Sequence, residues 1–158
     1  MLSARPASAY RAGEHSRETM MQINAYVFFN GRCEEALRFY GEQLGAEVLF
    51  KMHYKDAPPD PQRPIPPGVE DKVMHASVKI GESILMASDD CVSKDVTHAG
   101  FSLSLTADNL ADGEKFYNAL AEGGQVTMPW QATFWTKGFG MVTDRFGIAW
   151  MVTIPTEG

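Results

Sequence analysis

One order of elements, written twice, constrains this chain more than anything else in it. From Gln22 the sequence reads as a strand (Ile23 to Phe29), a helix (Cys33 to Leu44), a strand (Ala46 to Tyr54), a long loop and two strands, Val73 to Ile80 and Ser83 to Ala87. From Phe101 the order returns: strand (Phe101 to Leu105), helix (Asn109 to Glu122), then strands over Gln125 to Phe134, Gly138 to Thr143 and Ile148 to Ile154. The first helix rests on Ala36, Leu37, Tyr40 and Leu44, which form one apolar stripe, and on Gly45, placed to end it. Phe39-Tyr40 on that helix recurs as Phe116-Tyr117 on the second, and each helix runs through glycine into a strand carrying Val48 or Val126. The expectation is an α+β fold built from tandem βαβββ modules.

The remaining segments divide by composition. Residues 1–20 have no apolar periodicity and are rich in Ala, Ser and Arg, so a disordered leader is expected there, with too little apolar content for a secretory signal. Residues 21–158 then form a single domain with halves at about 22–90 and 99–155. A net charge of -6, without a basic cluster interleaved with aromatics, argues against a nucleic-acid or anionic-membrane partner. The longest apolar runs, such as Ile84 to Ala87, fall far short of the roughly 20 residues that cross a bilayer. Two cysteines without a CxxC pattern point to a reducing, cytoplasmic setting. Cys33, at a helix start beside Glu34 and Glu35, reads either as a small buried residue or as a reactive thiol. Six of the nine prolines lie between Asp56 and Asp71, a surface excursion that serves either as a stiff connector or as a lid or interface arm.

Trp130 to Trp150, WQATFWTKGFGMVTDRFGIAW, packs aromatic rings around glycine-spaced strands, which makes it a pocket wall or a core layer. Alternation along a strand puts Trp130 and Phe134 on one face and Gln131 and Trp135 on the other. Gln131 and Trp135 are expected toward a cavity, because an amide buried beneath a helix lacks partners. Asp144 and Gly147 read as the turn between the last two strands, with Phe146 as its staple. His75, inside the apolar strand VMHASVKI, is either a core histidine with one hydrogen bond or a ligand contact. Asp89 and Asp90 shape a turn at a strand end or face the ligand, and His53 and His98 read as loop histidines.

The two βαβββ units, the helix segment NGRCEEALRFYGEQLGAEV and the closing DRFGIAW resemble the vicinal oxygen chelate, or glyoxalase/bleomycin-resistance/dioxygenase, superfamily. The spacing from AYVFFNGRCEEALRFYGEQLGAEV to WQATFWTKGFGMVTDRFGIAWM is similar to its PhnB-like subfamily. That resemblance implies modules curled into a barrel-like mixed sheet around a cavity, and a homodimer. It also implies, in metal-dependent members, one His, Gln or Glu on the first and fourth strand of each half. Those slots fall here at Ala25 and Met86, and at Phe101 or Ser102 and Met151, which offer no imidazole or carboxylate for a divalent ion. No metal and no cofactor is therefore expected. Some relatives carry a methyltransferase label, but a glycine-rich turn after the first strand is missing, as are a P-loop and a GxSxG elbow.

The expected function is non-covalent binding of a small organic molecule, with Gln131, Phe134 and Trp135 as wall and His75 and Asp89 as polar contacts. A lyase or dioxygenase-type enzyme with a non-standard metal or acid/base site is the second reading. A structural or regulatory dimer whose cavity is filled by its own side chains is the third.

Overall fold

The computed structural model describes residues 21–93 and 95–156, so the leader expected over 1–20 lies outside the described residues. The first half comprises β1 (Ala25–Phe29), α1 (Cys33–Leu44), β2 (Glu47–His53), β3 (Val73–Ile80) and β4 (Ser83–Asp89). The second comprises β5 (Leu103–Thr106), α2 (Leu110–Ala121), β6 (Gln125–Gln131), β7 (Phe139–Thr143) and β8 (Ala149–Thr153). Each half is a four-stranded mixed sheet, in the orders β1-β4-β3-β2 and β5-β8-β7-β6. In both, the first strand runs parallel to the last and the other pairs are antiparallel. Both sheets even carry the same irregularity. Val48 pairs with Val78 and then Phe50 with Ser77, just as Val126 pairs with Val142 and then Met128 with Met141. An extra residue at Leu49 and at Thr127 bends each second strand at the same place. Duplication of the βαβββ unit thus extends to register.

The helices form for the expected reasons. Gly45 closes α1 in the left-handed conformation (φ 70°), with its amide on the Gly41 carbonyl. Asn109 caps α2, its side chain accepting the Asp112 amide at 2.9 Å. Each helix covers one face of its sheet: Ala36, Leu37 and Tyr40 pack with Val27, Ala76, Val78 and Ala87, and Tyr117 and Leu120 with Val142, Trp150 and Val152, in one continuous core.

The aromatic stretch is in large part this second layer. A Cβ on Gly138 would lie 2.5 Å from the Trp130 ring, one on Gly113 2.8 Å from it, and one on Gly140 2.4 Å from the Tyr117 ring. The glycines therefore let two large rings lie flat between α2 and its sheet. Strand β6 stops at Gln131 rather than at Phe134, because Thr133 and Thr136 close a turn: the Thr133 amide donates to the Thr136 carbonyl at 2.9 Å. The alternation expected to orient Phe134 and Trp135 does not reach them.

Asp144 does more than form a turn. It is 3% exposed, and its carboxylate accepts from the Tyr40 hydroxyl at 2.6 Å, the Trp150 indole at 2.8 Å and the amides of Phe146 and Ile148 at 2.9 and 3.0 Å. Tyr40 belongs to α1, so this carboxylate ties the second half to the first. Around it, the Arg145 guanidinium stacks 4.4 Å over Phe39 and that of Arg32 4.6 Å over Phe146. Arg32 also donates to the Arg145 carbonyl at 3.2 Å. Phe146 packs edge-on against Phe29, Phe39 and Tyr40, so it is a staple between halves rather than within one hairpin.

Candidate functional site

With each helix on one face of its sheet, the other face is open. On the first sheet the open positions follow from register: Tyr26 beside Met86, Met86 beside Ser77, and Ser77 beside Phe50, with Phe28, His75 and Met52 one step along their strands. Val27 and Phe29, between them on β1, are buried against the helix, whereas Tyr26 is 37%, Phe28 49% and Phe50 47% exposed. The Tyr26 hydroxyl is 3.0 Å from Nδ1 of His75 and their rings stack at 5.6 Å. Phe28 lies 4.9 Å from Tyr26 and Phe50 6.0 Å from His75, ring centre to ring centre. An imidazole hydrogen-bonded to a phenol is thus set among aromatic rings on an uncovered face.

The second sheet presents different chemistry at corresponding positions. Met128, Met141, Met151 and Ser104 sit side by side across its four strands. Gln131, at the end of β6, is exposed and opposite Phe139. The Trp135 ring lies 5.4 Å from Phe139 and 4.8 Å from Phe134. Trp135 is 43% and Phe134 98% exposed. Gln131 and Trp135 therefore both lie beside Phe139 at one end of the second sheet, with Phe134 next to Trp135 on the connecting loop, while His75 lies on the first sheet.

Asp89 is placed differently from a ligand contact. It is 1% exposed; one carboxylate oxygen accepts the Cys33 amide at 2.9 Å and the other the Val73 amide at 3.0 Å. It caps α1 from the end of β4 and ties down the start of β3. Tyr54 donates to the Asp89 carbonyl at 2.9 Å, and burial pushes the Tyr54 hydroxyl pKa up to about 12. Burial, with Asp89 close by, also raises the Cys33 thiol pKa, so Cys33 is the small buried residue and not an activated nucleophile.

The two histidines expected in loops are both engaged, and His53 is the last residue of β2 rather than part of a loop. Nε2 of His98 donates to the Phe28 carbonyl at 2.6 Å, satisfying the edge of β1, and a groove of about 310 Å³ runs between Phe28, Phe101 and His98. His53 sits 3.4 Å from Glu34 and from Asp56.

Tyr26, Phe28 and Phe50 did not stand out in the sequence. The signal was there in AYVFF: once Val27 and Phe29 are assigned to the core, parity alone sends Tyr26 and Phe28 to the opposite face.

The family model for the Glyoxalase/Bleomycin resistance protein/Dioxygenase superfamily matches residues 22–152. The chain belongs to this superfamily. It is 36% identical over 140 residues to Protein YjdN of Escherichia coli (strain K12), across 85% of this chain and 95% of that one. Protein PA1353 from Pseudomonas aeruginosa is similar in structure, with a TM-score of 0.78 at 42% identity over 87% of this chain and 100% of that one. A Bacillus cereus protein described as a putative 3-demethylubiquinone-9 3-methyltransferase, PhnB protein, gives 0.72 at 26% identity over 85% and 99%. The PhnB-like resemblance drawn from the sequence is shown by these matches.

The metal slots of the superfamily can now be placed by register. The open-face pair on β1 and β4 is Tyr26 and Met86, not Ala25 and Met86, and that on β5 and β8 is Ser104 and Met151, not Phe101 or Ser102. A phenol, an aliphatic hydroxyl and two thioethers do not match the imidazole and carboxylate donors that a hard or borderline divalent ion takes. Among the described residues, no three His, Cys, Asp or Glu side chains converge as a metal group. The side chains present do not fit such an ion.

Proposed function

We propose that this protein binds a small, flat, apolar or amphipathic organic molecule without a metal, on sheet faces that a second copy of the chain completes. The observation that carries this reading is the uncovered first sheet, where Tyr26, Phe28, Phe50 and His75 form a ring-lined surface. Folded chains seldom leave contiguous apolar surface of this kind in water unless it takes a ligand or a partner. Val48 and Leu49, 44% and 51% exposed, and Phe101, 46%, add to the apolar area that a homodimer would cover. The thioethers of Met128, Met141 and Met151 supply the second face with adaptable apolar surface. Gln131 and Trp135 line its end, with Phe134 beside them. Asp89 supports the fold beneath.

Two free cysteines accord with a cytoplasmic setting. Among the described residues, no helix is long and apolar enough to cross a membrane.

A thermal-shift screen of flat aromatic and amphipathic molecules, run with added divalent cation and with chelator, tests the reading. A binder present at a hundredfold excess over its Kd stabilises by about 2.7 kcal/mol, and the gain is expected to be the same in both arms. About one chelator-resistant Zn, Mn or Fe per chain would overturn the metal-free assignment, and sedimentation as a monomer at micromolar concentration would overturn the second copy.

A further inference from the structure

The open face of the first sheet holds one polar pair among its rings. Tyr26 on β1 and His75 on β3 are not neighbouring strands, since β4 lies between them, yet the phenol reaches across to Nδ1 at 3.0 Å. The small Ser88 of β4, opposite Phe28, leaves room for that reach. Phe50 and Phe28 flank the pair on either side. The groups nearest His75 on this face, from every strand, are Tyr26, Phe28, Phe50, Met52, Ser77 and Met86, none of them charged at neutral pH. Asp90 and Asp95 line the groove beside Tyr26 and Phe28, with the Asp90 carboxylate accepting the Val92 and Ser93 amides, while Glu47 and Lys79 pair across β2 and β3 beyond Ser77. His75 is the basic group set among these rings, and the carboxylates stand at the border of the surface.

The hydrogen bond decides what the pair can offer a ligand. While the imidazole is neutral, one of the two groups is used up as donor to the other, so the pair presents a single outward N–H, or an O–H beside an acceptor nitrogen. Once the imidazole is protonated, Nδ1–H donates to the phenol oxygen, and both Nε2–H and the phenol O–H point outward as donors next to a positive charge. That arrangement matches a carboxylate, which accepts with two oxygens and returns no proton. The rings on either side match a flat aromatic body.

Resting on the ligand-binding reading above, we propose that the Tyr26–His75 pair is its polar recognition element and that it selects aromatic carboxylates, holding them more tightly as His75 gains its proton. The Tyr26 hydroxyl positions the imidazole and supplies the second donor. Phe50 and Phe28 grip the ring without regard to its charge.

The test uses three probes with one ring system, 2-naphthoate, 2-naphthamide and 2-naphthylmethylammonium, titrated calorimetrically into the full chain at pH 5.5 and pH 8. Naphthoate is expected to bind about tenfold more tightly at the lower pH, the scale of one charge-assisted hydrogen bond, while the amide changes little. His75→Gln should remove the pH dependence and Tyr26→Phe should weaken naphthoate several-fold, both with a clearly smaller loss for the amide. Phe50→Ala should weaken all three probes alike. Naphthoate binding that is independent of pH, or a His75→Gln protein with the wild-type pH profile, overturns the proposal. If all three probes bind equally in the wild type and in both polar variants, the recognition element is refuted while the apolar site stands. If none binds, site and recognition element fall together.

Discussion

The two halves share a plan and differ in how each position is used. Helix α2 is capped by its neighbour in sequence, Asn109, whereas α1 follows an Arg32 that makes no cap and is served by Asp89, 56 residues away. The helix tyrosines diverge in the same way. Tyr40 sends its hydroxyl across to Asp144 in the other half, while Tyr117 turns back on its own sheet, donating to the Met128 carbonyl at 3.1 Å. On the open faces, His75 stands where the second half has Phe139, and Tyr26 where it has Ser104. One scaffold has thus kept its register and packing while one copy took up the polar chemistry of the open face and the other supplied the clasp. That division can be broken experimentally, position by position.

The clasp should show the largest effect. Replacing Asp144 by Ala leaves the Tyr40 hydroxyl, the Trp150 indole, the buried Ile148 amide and the half-buried Phe146 amide without their acceptor, and an expected loss of about 3 to 5 kcal/mol in urea unfolding follows from such orphaned donors. The corresponding turn of the first half, at Gly81-Glu82, joins Ile80 to Ser83 on the surface, so Glu82→Ala should change stability by less than about 0.5 kcal/mol. Comparable losses at both turns would mean that the halves are held together symmetrically.

Asp89 comes next. Its removal exposes the Cys33 and Val73 amides as buried, unpaired donors, and Asp89→Ala should cost about 3 kcal/mol. At Asn109, an exposed local cap, the Ala variant should cost only about 1 kcal/mol. A ratio near one would remove the distinction between the long-range and the local cap.

This pair also marks what was legible in the sequence. The helix at Cys33–Leu44 and the strand at Val73–Ile80 appear at their expected limits, because an apolar stripe and a terminating glycine are local signals. The tandem βαβββ order was readable for the same reason. Asp89 read as a turn or ligand residue and Asp144 as a turn residue, because their partners, Cys33 and Tyr40, are brought to them only by the fold. The open face was half legible. His75 announced itself as an imidazole in an apolar strand, but Tyr26 and Phe50 became its neighbours through sheet order, with β1 and β2 on opposite edges. Trp135 and Phe134 were assigned faces by alternation, and a threonine turn ended the strand before them.

A third comparison concerns the room beside each tyrosine. Gly140 pairs with Val152 one step from Phe139, and its counterpart in the first half is Ala76, fully buried beneath α1. The Tyr117 ring lies against Gly140, where an added Cβ would come within 2.4 Å, so Gly140→Ala should cost about 2 kcal/mol by overpacking. The reverse change, Ala76→Gly, should cost about 1 kcal/mol, because it loses a buried methyl and loosens the strand. If Gly140→Ala is neutral in thermal unfolding, the Tyr117 ring can shift away from Gly140, and the difference between the helices lies in the clasp alone.

The smallest effect is expected at Phe134, whose side chain stands 98% exposed on the β6–β7 loop. Its ring lies 4.8 Å from that of Trp135, whereas Trp135 also leans on Phe139 in β7. Removing an exposed side chain gives up little apolar burial, so Phe134→Ala should leave unfolding within about 0.5 kcal/mol of wild type. Trp135→Ala, which takes away a ring packed against the sheet, should cost clearly more. Urea titrations of the two variants at the same low protein concentration make the comparison. On the β2–β3 loop of the first half the ring is Tyr54, tied down to the Asp89 carbonyl, and prolines fill the stretch beyond it. A loss at Phe134 as large as that at Trp135 would therefore mean that this loop is covered in the assembled protein, and would place the second copy over the β6–β7 end of the molecule.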